Sequence, residues 1–299
     1  MSVPVLDAHF HVWDTARVSY PWVEAAQAQP QWFLGGRKLP RKYLLEDYQR
    51  EWSPLNVEPF VHVEAGAAPE SSVAETEFLT DELDRGTPMR KVVSAGLTRR
   101  DLEDVLAAHQ AHAGVVGVRD IVTWDLDGRY SFVADDLLSR EDWRSGLRVL
   151  ERLDLSFDMQ ILPSQVQAAV ILAGQFPSLR FVVNHAGLPH FANNDQSALW
   201  RSSLVALGAH ENIAIKAGGF SMMNNELTSA IVEDALWQML DAFGPRRVMV
   251  GTNSPVESTR HSPHVFIDGL NRFLGSLAPL ESAAIAAENV TEWYRSGTL

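Results

Sequence analysis

The chain has no cysteine. Disulfides, thiolate nucleophiles and Cys-ligated metals are therefore excluded, and a reducing compartment is a natural setting. No stretch approaches the ~20 apolar residues that a membrane-spanning helix needs. The start Met1-Ser2-Val3-Pro4 has no basic segment followed by an apolar one, so a cytoplasmic protein is expected. Positive charge is also short, with 25 Lys and Arg against 38 Asp and Glu, a formal net charge of −13, and no Lys/Arg-dense tract. Such a field repels nucleic acid and anionic membrane, leaving a small molecule as the expected partner. An anionic substrate would have to be met by specific buried cations. Assembly into a homo-oligomer is compatible with the sequence but not indicated by it.

Apolar residues are plentiful, at 46% of 299 positions, enough for one large core in a single domain spanning 1–299. Eight apolar runs of strand length recur: Val3 to His9, Pro59 to Glu64, Lys91 to Gly96, Val115 to Ile121, Ser156 to Ile161, Leu179 to Asn184, Asn212 to Lys216, and Arg247 to Gly251. Between them lie stretches with helical periodicity, at Ser72 to Arg85, Asp101 to Ala111, Asp142 to Leu153, Gln165 to Gln175, Gln196 to Leu207, Leu227 to Phe243 and His264 to Leu274. This alternation predicts right-handed βαβ units and a parallel sheet. Eight repeats in this length predict an α/β fold of the closed (β/α)8, TIM-like barrel type. Thr98-Arg99-Arg100-Asp101 offers a helix N-cap, and Phe243-Gly244-Pro245 a helix stop.

Two stretches break the rhythm. Trp13 to Glu51 is long, aromatic and proline-punctuated, with Tyr20-Pro21-Trp22 and Gln31-Trp32-Phe33 ahead of a short helical Tyr43 to Arg50. Following the first strand, it would lie over the barrel mouth as a lid or substrate wall, or its aromatics would simply anchor a surface loop. Thr123 to Ser139, with Trp124, Asp125, Asp127 and Tyr130, follows the fourth strand and would reach the same mouth.

The most informative local pattern is Asp7-Ala8-His9-Phe10-His11. On a strand, alternation puts His9 and His11 on one side and Phe10 on the other. Two neutral imidazoles so placed can grip a divalent metal or polarise a substrate oxygen. In a parallel barrel, chemistry gathers at the C-terminal ends of the strands. Those ends carry His62 and Glu64, Arg119, Asp158 and Gln160, Asn184 and His185, Lys216 and Asn253. So many polar groups in apolar strands are costly unless they face a common polar cavity.

Each of these has two readings. Arg119 pins a substrate carboxylate through a bidentate contact, or pairs with Asp120 or Glu64. Glu64 serves as a base or orients His9 or His62. His185 is a base or electrophile, or supports its loop. Lys216 neutralises an anionic leaving group, or pairs with Glu64 or Asp158. His109 and His112, at i and i+3 of one helix, are expected to face solvent. His261 and His264 line the mouth or belong to the cap of the last helix.

The residues also carry a resemblance. Leu6-Asp7-Ala8-His9-Phe10-His11-Val12-Trp13-Asp14, Tyr20-Pro21-Trp22, Phe60-Val61-His62-Val63-Glu64-Ala65, Gly117-Val118-Arg119, Phe157-Asp158-Met159-Gln160, Val183-Asn184-His185-Ala186-Gly187-Leu188-Pro189 and Val250-Gly251-Thr252-Asn253-Ser254-Pro255-Val256 run nearly the full length. Together they resemble the amidohydrolase superfamily, in its lactonase-like branch of sugar-acid lactonases, sulfomuconolactonase and pyrone dicarboxylate hydrolase. The resemblance implies a distorted barrel that hydrolyses cyclic esters, with His9 and His11 at the water or carbonyl site. It departs from the pattern at Asn253, where amidohydrolases usually carry an aspartate that takes a proton from the attacking water. An amide cannot act as that base. The lysine and histidine of a two-metal site are also missing, since those strand ends read Arg119 and Gln160.

The combined expectation is a hydrolase opening a lactone that bears a carboxylate or several hydroxyls. His9, His11, His185, Asn253 and Glu64 form the catalytic set, with His185 first and Glu64 second as base. Arg119, Gln160, Lys216, Trp22 and His62 contact substrate. His9 and His11 would hold at most one loosely bound divalent metal, zinc being the natural ion, or none. The rivals are a silent barrel that binds a small anion and a decarboxylase on the same scaffold.

Overall fold

The computed structural model describes residues 4–29, 31–83 and 89–295. Each expected apolar run overlaps a strand, at Val5–Asp7, Val61–Val63, Arg90–Val93, Val115–Ile121, Ser156–Gln160, Phe181–Val183, Ile213–Ala217 and Val248–Val250. Val3, at the start of the first run, and residues 84 and 85, at the end of the first helical stretch, lie outside the described residues. The last seven strands form one parallel sheet in chain order. Val5–Asp7 pairs in parallel with a short additional strand, Val57–Pro59, just ahead of Val61–Val63.

The residues after Val5–Asp7 touch both ends of the seven-stranded sheet. Ala8 N donates to Val250 O at 2.7 Å, and Phe10 N donates to Val61 O at 3.3 Å. Phe10 bridges His62 on one side and Ser254 on the other. The sheet therefore curls into an α/β barrel, and the side chains sort accordingly. Ala8, Val61, Val63, Val92, Val116, Val182, Ala214 and Met249 form an inner cluster, whereas Phe157, Phe181, Val183, Ile213, Ile215, Val248 and Val250 join the large outer core under the helices. Alternate residues of one strand entering two separate cores is the signature of a sheet with an inside and an outside.

Helices cover the outer face where periodicity predicted them, among them Ser72–Leu83, Leu102–Gln110, Glu141–Arg152, Val166–Gln175, Asn194–Gly208, Ser229–Phe243 and Pro263–Ser276. Gly244, at φ 68°, ends the helix before Pro245 as expected. Asp101 differs from expectation. It holds the N-cap position without a side-chain cap bond, because both its carboxylate oxygens accept from Arg99 at 2.9 and 2.7 Å. A bidentate charge-assisted contact wins over a single cap bond.

Trp13 to Glu51 is more ordered than one short helix. It forms an antiparallel ribbon of Trp13–Asp14 with Lys42–Tyr43, a helix Pro21–Ala28 opened by its proline, and a helix Leu45–Trp52. At the opposite end of the barrel, the C-terminal helix Asn289–Trp293 closes the interior. Asn289 Nδ2 donates to Pro245 O and Val248 O, while Val290, Trp293 and Tyr294 join the inner cluster.

Tyr294 reaches the barrel centre. Its hydroxyl lies 2.7 and 2.8 Å from the two Asp158 oxygens, Lys216 Nζ lies 2.6 Å from Asp158 Oδ2, and Asn184 Nδ2 donates to the same oxygen at 2.9 Å. Lys216 and Asp158 are fully buried, so each is tolerable only because the other is present. Replacing Lys216→Met should strand the carboxylate and cost ~3–5 kcal/mol, and adding Asp158→Leu should recover part of it. Urea unfolding of the two variants checks this; equal midpoints for the single and double variants would show that the pair does not act as a unit.

Candidate active site

Strand alternation places the first imidazoles. His9 and His11 point to one side with Nε2 atoms 3.2 Å apart, and Phe10 packs away from them on Tyr48 at 4.9 Å between ring centroids. His11 Nδ1 sits 2.8 Å from Val63 O, a carbonyl, so Nδ1 carries the proton and Nε2 presents a lone pair. The contact between the rings is then a bond donated by His9 Nε2. Burial first, and cationic neighbours second, hold both rings neutral, with His11 lowered to about 3 and His9 well below the usual imidazole range.

His185 stands 4.6 Å from His9 between ring centroids, also buried and also held well below its ordinary pKa by desolvation and then by Arg119. Its backbone is unusual. His185, Ala186, Gly187 and Leu188 all have positive φ, of 53°, 53°, 71° and 51°, as does Asn253 at 55°. Left-handed backbone at non-glycine residues costs roughly 1–2 kcal/mol each and persists where surroundings over-determine it, as at active sites. Gly219 permits this arrangement, since a Cβ there would lie 2.6 Å from His185 Nδ1.

A cavity of about 290 Å³ opens over this group. Of the residues expected to serve the site, His11, His185, Asn253, Arg119, Gln160 and Trp22 line it. His9, Glu64, His62 and Lys216 stand behind that lining. Glu64 Oε1 accepts from Arg119 Nε at 2.5 Å, and the Glu64 carbonyl accepts from Arg119 Nη2 at 2.6 Å. Of the partners weighed for Arg119, this is the one realised; Asp120 instead accepts from Trp143 and Leu97. His62 Nε2 accepts from Val12 N at 3.1 Å, and Lys216 belongs to the Asp158 network. Gln160 Nε2 and Asn253 Nδ2 are buried donors with no protein partner. Trp22 is pinned as a wall by its Nε1 donating to Ala65 O at 2.6 Å.

Other histidines lie elsewhere. His109 does not face solvent; it is buried, bonding Thr76 Oγ1 at 2.8 Å and Ser94 O at 3.1 Å. His112 is half-buried beside Thr80. His261 bonds Asn225 O, and His264 occupies the capped start of Pro263–Ser276. Neither lines the cavity.

Several site residues escaped the sequence reading. Asp7 lies beneath His9, accepting from His9 N, Thr252 and Tyr48. Its place in the His-containing motif was the available signal. Phe132, Met222 and Val256 also line the cavity, and Gln31 and Phe33, from the segment expected over the mouth, line it with them. The two long segments supply Trp32, Phe33, Tyr130 and Phe132, which meet in one cluster, with Trp32 5.3 Å from Tyr130 and 5.4 Å from Phe132.

The amidohydrolase family model matches residues 6–295. The chain belongs to the amidohydrolase family. It is a hydrolase, and its named relatives place it on the lactonase-like branch. An uncharacterized protein, y4mH, of Sinorhizobium fredii is 28% identical over 98% of this chain and 99% of its own length. L-fucono-1,5-lactonase of Burkholderia ambifaria is 24% identical over 97% and 95%. Among solved structures, an amidohydrolase from Burkholderia multivorans with bound zinc superposes at TM-score 0.79 with 22% identity, covering 97% of this chain and 99% of that one. A probable 2-pyrone-4,6-dicarboxylic acid hydrolase from Acinetobacter baumannii, with citric acid bound, does so at 0.70 and 18%, covering 97% and 99%.

The zinc in one of these structures raises the question of fit. His9 and His11 offer two neutral nitrogens and Asn253 an amide, and among the described residues no group of three His, Cys, Asp or Glu gathers to hold an ion. Arg119 Nη1 lies 3.5 Å from His9 Nε2, so a guanidinium already faces the nitrogen a cation would need. This donor set does not fit a tightly held divalent metal. Elemental analysis of dialysed protein should give well under one divalent ion per chain. A stoichiometric ion surviving chelator would overturn that reading.

The lowered imidazole pKa values set a second expectation. Groups neutral in the folded site stay neutral as pH falls through the ordinary histidine range near 6.5. Activity that needs neutral His11 and His185 should thus hold from about pH 7.5 down to about pH 5.5. An acid limb in kcat/KM centred near 6.5 would show that the working imidazole is solvated.

Proposed function

We propose that the protein is a lactonase, with 1–299 working as one (β/α)8 barrel and the segment after its first strand serving as a lid over the mouth. The observation that carries the reading is the meeting, in one apolar cavity, of neutral His11 and His185 with two unpartnered buried donors, Gln160 Nε2 and Asn253 Nδ2. Acceptors that take up a proton and donors that stabilise an oxyanion are the two things ester hydrolysis requires.

Gln160 and Asn253 donate to the carbonyl oxygen, on which negative charge develops. His185 accepts a proton from water as the water oxygen bonds to the carbonyl carbon. His11, its Nδ1 engaged by Val63 O and its Nε2 by His9, is the fixed polar wall beside that water. The ring carbon–oxygen bond breaks, and the proton passes from His185 to the departing ring oxygen, giving a hydroxy acid. Glu64 is the alternative base, but its carboxylate is engaged by Arg119 and Gly66. No step needs a metal; a loosely bound ion at His9 and His11 would add polarisation of the carbonyl.

Asn253 favours a second reading, a barrel silenced by loss of the strand-end aspartate. One pair of variants separates the two with dihydrocoumarin as substrate. His185→Asn should lower kcat at least ~100-fold, the usual worth of a positioned base, with far-UV circular dichroism unchanged. Asn253→Asp should lower kcat/KM about tenfold, since it adds negative charge where an oxyanion forms. A rise in Asn253→Asp would support the silenced barrel, and release of carbon dioxide from a carboxylated substrate would support a decarboxylase.

A further inference from the structure

The expectation of a carboxylated or polyhydroxylated substrate rested on Arg119 as a free buried cation, and the structure gives that residue a different occupation. The Nε edge of its guanidinium is taken by Glu64, through both the carboxylate and the backbone carbonyl. Nη1 lies 3.5 Å from His9 Nε2, itself a donor, so the compensation comes from Glu64 alone. The charge is therefore compensated before any ligand arrives. Among the described residues that line the cavity, Arg119 is the only Lys or Arg. In a chain of net charge −13, a carboxylate entering here would lose water and find no unpaired cation.

The walls are equally unsuited to a sugar acid. Trp22, Phe33, Ile121, Phe132, Met222 and Val256 surround the space above the polar floor. Hydroxyl groups pressed against them would be desolvated without partners. The unpartnered buried donors are Gln160 Nε2 and Asn253 Nδ2, which with His185 suffice for one ester group and one water; Gln31 and Arg119 are the other polar side chains of the lining.

We propose that the site takes an uncharged lactone whose one polar group is the cyclic ester and whose remaining framework is an alkyl or aryl face. This rests on the hydrolytic reading above and narrows it to a substrate class unlike those in the names of its relatives. The floor holds the ester against water, and the aromatic walls recognise the hydrocarbon by contact area, with Phe33 and Phe132 from the two long segments closing on it.

The test compares four lactones on purified enzyme: dihydrocoumarin and δ-nonalactone as apolar esters, galactonolactone as a polyol, and 2-pyrone-4,6-dicarboxylate as an anion. The expected result is a kcat/KM for the apolar pair on the order of 100-fold above the other two, the discrimination that unpaired polar groups impose. A preference for galactonolactone or the dicarboxylate overturns the substrate class and leaves the hydrolase standing. Isothermal titration with two lactams that resist hydrolysis, dihydroquinolinone and gluconolactam, reads recognition independently of turnover. If no lactone is opened, the hydrolytic reading falls. In that case tighter binding of dihydroquinolinone still supports the apolar ligand class, and tighter gluconolactam, or binding of neither, overturns it. Phe132→Ala should raise KM for dihydrocoumarin about tenfold with kcat little changed, as lost contact area in the ground and transition states alike requires. An unchanged KM would remove that wall from recognition.

Discussion

Everything at the mouth of this barrel hangs from one buried carboxylate. Asp7 accepts from His9 N at 2.8 Å, Thr252 N at 2.9 Å, Thr252 Oγ1 at 2.6 Å and Tyr48 Oη at 2.7 Å. It thereby ties the first strand, the end of the last strand and the helix Leu45–Trp52 into one joint. His9 follows two residues later and Asn253 directly follows Thr252, so the joint positions both. Burial raises its pKa to about 6 despite four donors. Because that folded value lies above the unfolded one, ionisation between about pH 4 and 6 draws on stability, whereas the protonated acid does not. The joint is an expensive one, kept where it aligns three elements at once.

Below and beside it, the barrel interior carries its other charges as compensated pairs. Asp158 with Lys216 sits deepest, supported by Tyr294 and Asn184, and Glu64 with Arg119 lies nearer the mouth. The two cations still project a positive potential, and together with desolvation they keep His9, His11 and His185 unprotonated. Charge is thus spent on the state of the imidazoles rather than on gripping a ligand. That division explains how one interior can be rich in ionisable groups and still present an apolar, nearly neutral chamber.

What could be read from the sequence followed from period. The two-residue alternation places His9 and His11 together, and the βα rhythm locates the eight barrel-forming strands among the described residues to within a few positions. Partners distant in sequence were not readable in this way. That Arg119 would choose Glu64 rather than Asp120 or a ligand depends on a contact across the strand Arg90–Val93, which separates Val115–Ile121 from Val61–Val63, and Tyr294 reaches Asp158 from a C-terminal helix with no local mark of its destination. His109 is a different case, because its signal was present. Leu102, Leu106 and His109 fall at i, i+4 and i+7, and all three are buried on one helix face, where Thr76 and Ser94 satisfy the ring. Reading the pair His109 and His112 by itself, without the leucines, hid that face.

The same logic separates the regular part of the scaffold from the part that shapes the chamber. The strands and their terminal His9, His11, His185 and Asn253 belong to the regular repeat, and periodicity finds them. The side chains that shape the chamber come largely from elsewhere. Trp22 and Phe33 arise from the long connection after the first strand and Phe132 from that after the fourth, both irregular in pattern. A barrel of this kind sets its strand-end side chains by the repeat and draws the chamber walls from segments that no repeat constrains. Identity of 24% to an L-fucono-1,5-lactonase therefore does not carry the ligand across, since the residues that would tell a hydroxyl from a methylene are those the repeat does not fix.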